Sequence, residues 1–151
     1  MTISIKVNGK SIHLECNPGE SLADALRLAG YTEVKKACGT GNCGLCTVLL
    51  DGVPVPSCSM LVGRADGHEV TTIRGVEKEA AQLAKFLAEE GAEQCGFCSP
   101  GFALMVLVMK KELASPSEAE MRHYLAGNLC RCSGYEGHFR ALKKYLEADR
   151  G

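Results

Sequence analysis

The nine residues Cys38–Cys46, CGTGNCGLC, hold three cysteines and three glycines, and their reading decides the rest of the chain. A hydrophobic core has no use for that mixture: glycine brings no side chain to bury, and the cysteine thiol is open to oxidation and metal binding. The surroundings are those of an ordinary globular protein, with 46% hydrophobic and 23% charged residues among 151, enough chain to bury a core. A formal net charge of −1 argues against the basic footprint of a nucleic-acid binder. Met1 leads straight into TISIKVNGK, which alternates like a strand and lacks the basic and apolar regions of a signal peptide. The longest apolar run, Phe102–Met109, is too short to cross a bilayer. A cytoplasmic location is therefore expected, where structural disulfides are rare. Nine cysteines in a reducing compartment point to metal, and an odd number suits a disulfide framework badly.

Before the loop the chain reads as a hairpin and a helix. TISIKV and SIHLEC alternate apolar and polar residues across Asn8-Gly9, a strong hairpin signal. NPGE breaks the chain, and Ser21 with Asp24 forms the capping pattern that opens a helix over SLADALRLAG. After the loop, TVLLDGVPV turns at Asp51-Gly52 into a second hairpin, whose Pro54 and Pro56 put its second arm on a sheet edge. HEVTTI supplies a last strand. A twisted mixed sheet holding one helix is the expected result.

From Glu77 the period changes. Ala80, Leu83, Ala84, Leu87 and Ala88 fall on one face of a helix. SPGFALMVLVMKKEL makes a second helix, with Ser99 as N-cap, Pro100 at the first helical position and an apolar surface nearly all round through Met109, hence central and buried. Ser117 caps a third, EAEMRHYLAG, ending at Gly127, and YEGHFRALKKYLEA makes a fourth. The division falls near Arg74–Glu77, giving an α+β chain with a sheet-based unit over 1–75 and a helical unit over 76–151.

Eight of the nine cysteines form two quartets, one in each half. Cys38-x4-Cys43-x2-Cys46, with Cys58 eleven residues on, has the spacing of a plant-type ferredoxin loop. The glycines now have a reason. An oxidised 2Fe–2S cluster with four thiolates carries about −2, and Gly39, Gly41 and Gly44 let backbone N–H groups turn inward toward that charge. A zinc site would favour two short-spaced knuckles instead. In the second quartet, Cys95-x2-Cys98 and Cys130-x-Cys132, Cys98 and Cys132 each precede a helix whose N-terminus favours an anion, and Arg131 adds a full positive charge. Spacing alone leaves zinc open there, because Cys-x2-Cys is also a zinc half-site.

Taken together, CGTGNCGLCTVLLDG, EQCGFCSPGF and GNLCRCSGY resemble the signature segments of the small iron–sulfur subunit of molybdenum hydroxylases, the xanthine dehydrogenase, aldehyde oxidoreductase and carbon monoxide dehydrogenase family. The resemblance implies a plant-ferredoxin-like β-grasp domain over 1–75 and a four-helix bundle over 76–151, each with one 2Fe–2S cluster. It implies that Cys95, Cys98, Cys130 and Cys132 hold a cluster proximal to the molybdopterin of a large subunit. Cys38, Cys43, Cys46 and Cys58 then hold a distal cluster toward the FAD of a medium subunit. Gln94 and Cys132 are implied as pterin contacts, and the assembly as a hetero-oligomer such as a dimer of heterotrimers. Ser99 and Ser133 stand where threonine is usual, Leu45 where alanine is usual, and His138 where an aliphatic residue is usual.

On this reading the chain is a non-catalytic electron-transfer subunit of a xanthine dehydrogenase-like oxidoreductase, relaying single electrons from molybdopterin to flavin. Two competing readings are a free-standing ferredoxin-type carrier and a zinc-stapled interaction module. The remaining candidates have ordinary explanations. Cys16 is a buried inert thiol; His13, His68, His123 and His138 are not needed as ligands beside eight cysteines. Lys35 and Lys36 form a solvated surface pair. Phe102, Met105 and Met109 are core, and Tyr135 and Phe139 pack the helices or their contact with the large subunit.

Overall fold

In the computed structural model, which describes residues 1–148, the first alternating stretch forms β1 (Thr2–Val7) and β2 (Lys10–Glu15). They pair antiparallel from Thr2↔Glu15 to Val7↔Lys10. Asn8 and Gly9 make the turn with φ of 50° and 80°, the left-handed pair that matches strand twist. Ser21 caps α1 (Leu22–Leu28), its Oγ accepting from the Asp24 N–H at 3.1 Å. The second hairpin, β3 (Thr47–Leu50) and β4 (Val53–Pro56), turns at Asp51 and Gly52.

A third segment, β5 (Glu69–Thr71), slots between the hairpins, parallel to β1 and antiparallel to β3. The resulting sheet is mixed, in the order β2-β1-β5-β3-β4, and the proline-bearing β4 lies at its edge, where missing N–H donors cost no ladder bond. Ile3, Ile5 and Val7 of β1 face inward against Leu22 and Leu26 of α1 and form the first core. Its alternation puts Thr2, Ser4 and Lys6 on the opposite, exposed face.

The helical half consists of α2 (Glu77–Glu89), α3 (Ser99–Glu112), α4 (Glu118–Tyr124) and α5 (Glu136–Ala148); positions 149–151 of the expected helical unit lie outside the described residues. Leu83, Phe102, Val106, Met121, Leu142 and Tyr145 meet in a second core. As its apolar circumference requires, α3 is buried almost all round, and it also packs against β3 through Leu104, Val108 and Leu49. That third cluster joins the halves. The connecting segment is tied back as well: Asn8 Nδ2 donates to Thr72 Oγ1, and the Thr72 N–H returns to Asn8 Oδ1 at 2.8 Å.

Three local expectations are corrected. Cys98, not Ser99, occupies the cap position of α3; Cys98 is already helical at φ −80°, ψ −18°, and Ser99 Oγ donates to Glu93 instead. The helix α4 begins at the Ser117 capping box but stops at Tyr124, short of Gly127. On α2 only Leu83 and Leu87 are buried while Ala84 and Ala88 are exposed, because the packing face is rotated toward Phe86, whose ring meets Tyr145 edge-on. Among the described residues, no helix is long and apolar enough to cross a membrane.

Candidate metal centres

The loop after α1 turns on its glycines: Gly39, Gly41 and Gly44 have φ of 65°, 77° and 69°, values an L-residue adopts only under strain. With the backbone so turned, the Thr40 N–H points at Cys38 Sγ from 3.4 Å. The fourth cysteine arrives from the far end of the hairpin. Ser57, fully buried, donates its hydroxyl to the Cys46 carbonyl at 2.5 Å and so pins the short 3-10 turn Ser57–Ser59 against the loop. The Cys58 N–H then meets Cys46 Sγ at 3.4 Å. Cys43 and Cys46 are buried, Cys58 partly so, and Cys38 is exposed.

The thiols feel these surroundings. Hydrogen bonding from the Thr40 backbone, then from its side chain and from Cys43, lowers the Cys38 pKa to about 5. Burial pushes Cys46 up to about 11, with the Cys58 thiol adding to the rise. A thiolate at Cys46 therefore needs a cation beside it.

In the helical half, Gly96 at φ 70° turns the chain between Cys95 and Cys98. The Phe97 N–H approaches Cys95 Sγ at 3.5 Å, and Cys98 sits at the N-terminus of α3, where unpaired amides favour negative charge. Cys130 and Cys132 come from the loop entering α5. Cys132 Sγ lies 3.6 Å from Cys95 Sγ. Burial first, then the neighbouring Cys130 thiol, pushes Cys98 up to about 12. Burial also acts upward on Cys130, but the Ser133 hydroxyl and N–H outweigh it and hold Cys130 below the ordinary thiol value. All four of these cysteines line one cavity of about 350 Å³, with Leu45, Phe97 and Arg131 on its walls.

The two sites touch. The Leu129 N–H donates to the Cys43 carbonyl at 2.9 Å, so one hydrogen bond separates a cysteine of the first quartet from the residue next to Cys130. Asn128 Nδ2 reaches the Gly44 carbonyl at 3.4 Å. A Cβ on Gly44 would stand 2.6 Å from the Gly127 carbonyl oxygen, and one on Gly101 would run into the Gly44 carbonyl. Glycine at these two positions is what allows loop and α3 to close on each other.

Among the described residues, no three His, Cys, Asp or Glu side chains converge as they would around one ion. The close contacts are pairwise: Cys38 with Cys43, Cys46 with Cys58, Cys95 with Cys132 and Cys98 with Cys130. A 2Fe–2S cluster asks for two thiolates on each iron, and the residues present fit it in softness, in pairing and in the N–H groups aimed at sulfur. Cys16 stands apart in the sheet core, its thiol against the Met1 carbonyl. Gln94 is exposed beside Cys95. His13 bonds Ser4 and His68 bonds Asp51, while Lys36 pairs with Asp24 at 2.7 Å. Sequence reading missed the support beneath Cys130: Tyr135, at φ 70°, accepts the Cys130 N–H on its hydroxyl at 2.8 Å, and Ser133 reaches the Cys130 sulfur. The adjacent Ser-Gly-Tyr, a turn between ligand spacing and helix, was the available signal.

Fold and donor types are those of an iron–sulfur protein. Residues 5–72 match the family described as "2Fe-2S iron-sulfur cluster binding domain" and residues 72–143 the one described as "[2Fe-2S] binding domain". The xanthine dehydrogenase iron-sulfur-binding subunit of Escherichia coli O157:H7 is 41% identical over 143 residues, 90% of this chain and 88% of its own. The nicotinate dehydrogenase small FeS subunit of Eubacterium barkeri is 38% identical over 150 residues, 97% and 96% of the two chains. A crystal structure of quinoline 2-oxidoreductase from Pseudomonas putida 86 superposes with a TM-score of 0.90 at 38% identity, covering 99% of this chain and 96% of that one. The chain belongs to the family of small iron–sulfur subunits of molybdenum hydroxylases. It is the electron-transfer subunit of an oxidoreductase, non-catalytic in itself, and its own cofactors are 2Fe–2S clusters.

Proposed function

We propose that Cys38, Cys43, Cys46 and Cys58 ligate a distal 2Fe–2S cluster in a β-grasp domain over 1–75. Cys95, Cys98, Cys130 and Cys132 ligate a proximal one in a four-helix bundle over 76–151. The partners are a large subunit carrying molybdopterin and a medium subunit carrying FAD, in a cytoplasmic hetero-oligomer such as a dimer of heterotrimers. The enzyme is xanthine dehydrogenase-like. Bound there, the clusters supply one-electron steps between a molybdenum centre that takes two electrons from its substrate and a flavin that stores both.

The observation that carries this reading is the pairing of thiols within each quartet, with the Leu129–Cys43 hydrogen bond between the two. Each protein group has a definite task. The Thr40, Cys58, Phe97 and Ser133 N–H groups each face a cysteine sulfur and stabilise anionic thiolate. Leu45, on the loop of the first quartet, lines the cavity of the second. Gln94 and Cys132 lie on the exposed side of the second centre, where they contact the pterin. Phe97 and Leu129, 43% and 49% exposed, form an apolar rim beside them, which supports burial against the large subunit rather than a life as a free carrier. Co-purification from the native source tests the assembly. Two further polypeptides, one with molybdopterin and one with FAD, are expected to run with this chain on size exclusion; a lone monomer contradicts the reading.

A further inference from the structure

His138 is the third residue of α5 and is 3% exposed, an unusual place for an imidazole that ligates nothing. Its ring stacks on Phe102 with centroids 4.6 Å apart and stands 6.1 Å from the Tyr135 ring. Nδ1 lies 3.0 Å from Ser133 Oγ, and Ser133 Oγ lies 3.3 Å from Cys130 Sγ. The same hydroxyl accepts the Tyr135 N–H at 3.1 Å. A serine hydroxyl owns one proton and two lone pairs. Its neighbours compete for that proton: a thiolate sulfur, which only accepts, and an imidazole nitrogen, which accepts or donates according to tautomer.

We propose that His138 is a positioning residue: its Nδ1–H donates to Ser133 Oγ and thereby fixes the Ser133 proton on Cys130 Sγ, raising the reduction potential of the proximal cluster. This rests on Cys130 being a ligand. Only one tautomer commits the Ser133 proton to sulfur. With Nδ1 protonated, Ser133 accepts from His138 and from Tyr135 and gives its single proton to sulfur. With Nδ1 bare, nitrogen and sulfur contest that proton. Burial lowers the His138 pKa, opposed weakly by Glu93, which keeps the ring neutral and able to hold one tautomer. A donor on a cluster sulfur favours the more negative, reduced state and moves the potential upward. Unlike the backbone N–H groups that face the sulfurs, Cys130 among them, this donor is set by a side chain two hydrogen bonds removed from the ligand.

Redox titration of the complete enzyme, followed by electron paramagnetic resonance, tests the relay. His138→Phe keeps an aromatic ring against Phe102 but has no donor. The proximal signal, the one that survives Cys43→Ser, is expected to become about three- to tenfold harder to reduce, tenfold being about 59 mV for one electron. Ser133→Ala lowers it at least as far, and the double variant Ser133→Ala/His138→Phe goes no lower than Ser133→Ala alone. His138→Asn, whose side-chain N–H stands near the former Nδ1, restores most of the loss. The distal midpoint stays put throughout. Both signals present with an unmoved proximal midpoint in His138→Phe overturns the relay and leaves the ligand assignment standing. Additive shifts in the double variant overturn it equally. If His138→Phe loses the proximal signal, the decision passes to His138→Asn and Ser133→Ala: a wild-type midpoint in the first with a lowered one in the second supports the relay, and any other result overturns it. A wild-type enzyme with one 2Fe–2S signal overturns the ligand assignment and the relay with it.

Discussion

Cys43 serves in two ways at once. Its thiol belongs to the first quartet, and its carbonyl accepts the Leu129 N–H on the approach to Cys130. A serine there keeps the carbonyl and removes the soft donor, so Cys43→Ser should abolish the distal cluster and leave the proximal one loaded. Reduced samples are then expected to show one 2Fe–2S signal by electron paramagnetic resonance, with electron delivery to flavin lost; two intact signals would refute the distal assignment. The turns of the Cys/Gly loop were legible in the sequence because glycine marks where the chain must turn, and Gly39, Gly41 and Gly44 do so. Ser133 and His138 were not. Whether a buried histidine holds a proton for a serine depends on which loop folds under it, and nothing in GYEGH states that.

At the scale of elements, both hairpins could be read from Asn-Gly and Asp-Gly, and the helix caps at Ser21 and Ser117 from the sequence around them, since each is settled within a few residues. The place of β5 between β1 and β3 was not readable, because it joins Val70 to Val7 and Leu50 across the chain. Nor was the closeness of the Cys/Gly loop to α3. Gly44 now carries a test of that contact. Gly39→Ala and Gly44→Ala impose the same left-handed strain, at φ of 65° and 69°, but nothing lies within 4 Å of a Cβ at Gly39, whereas Gly127 and Asn128 block one at Gly44. Strain alone costs on the order of 1–3 kcal/mol. Gly44→Ala is expected to lower the thermal midpoint further than Gly39→Ala, by several degrees, and equal losses would show that the loop does not press on the helical half.

Across the whole molecule, two carboxylates brace the helices. Glu90 pairs with Lys144 and Arg140, and Glu118 with Lys143 and Arg122, tying α5 to the end of α2 and to α4. Hydrogen bonds from Lys144 and Arg140 lower the Glu90 pKa from 4.5, and those from Lys143 and Arg122 do the same for Glu118. A folded-state pKa below the unfolded one stabilises at higher pH, and the contribution fades as pH falls through the lowered value. As pH falls below about 4.5 the urea midpoint should therefore drop, and Glu90→Gln should flatten that slope; an unchanged slope would show that the pairs contribute nothing. The two-part texture was visible in the change of period at Glu77, while the joining cluster of Leu49, Leu104 and Val108 required the fold. All of it serves a single claim, that one chain holds two iron centres side by side. Iron and acid-labile sulfide per polypeptide, measured with the reduced-state resonance spectrum, test that claim most directly. The account predicts about four irons, about four sulfides and two distinct 2Fe–2S signals; two irons or fewer, or zinc in their place, would contradict it.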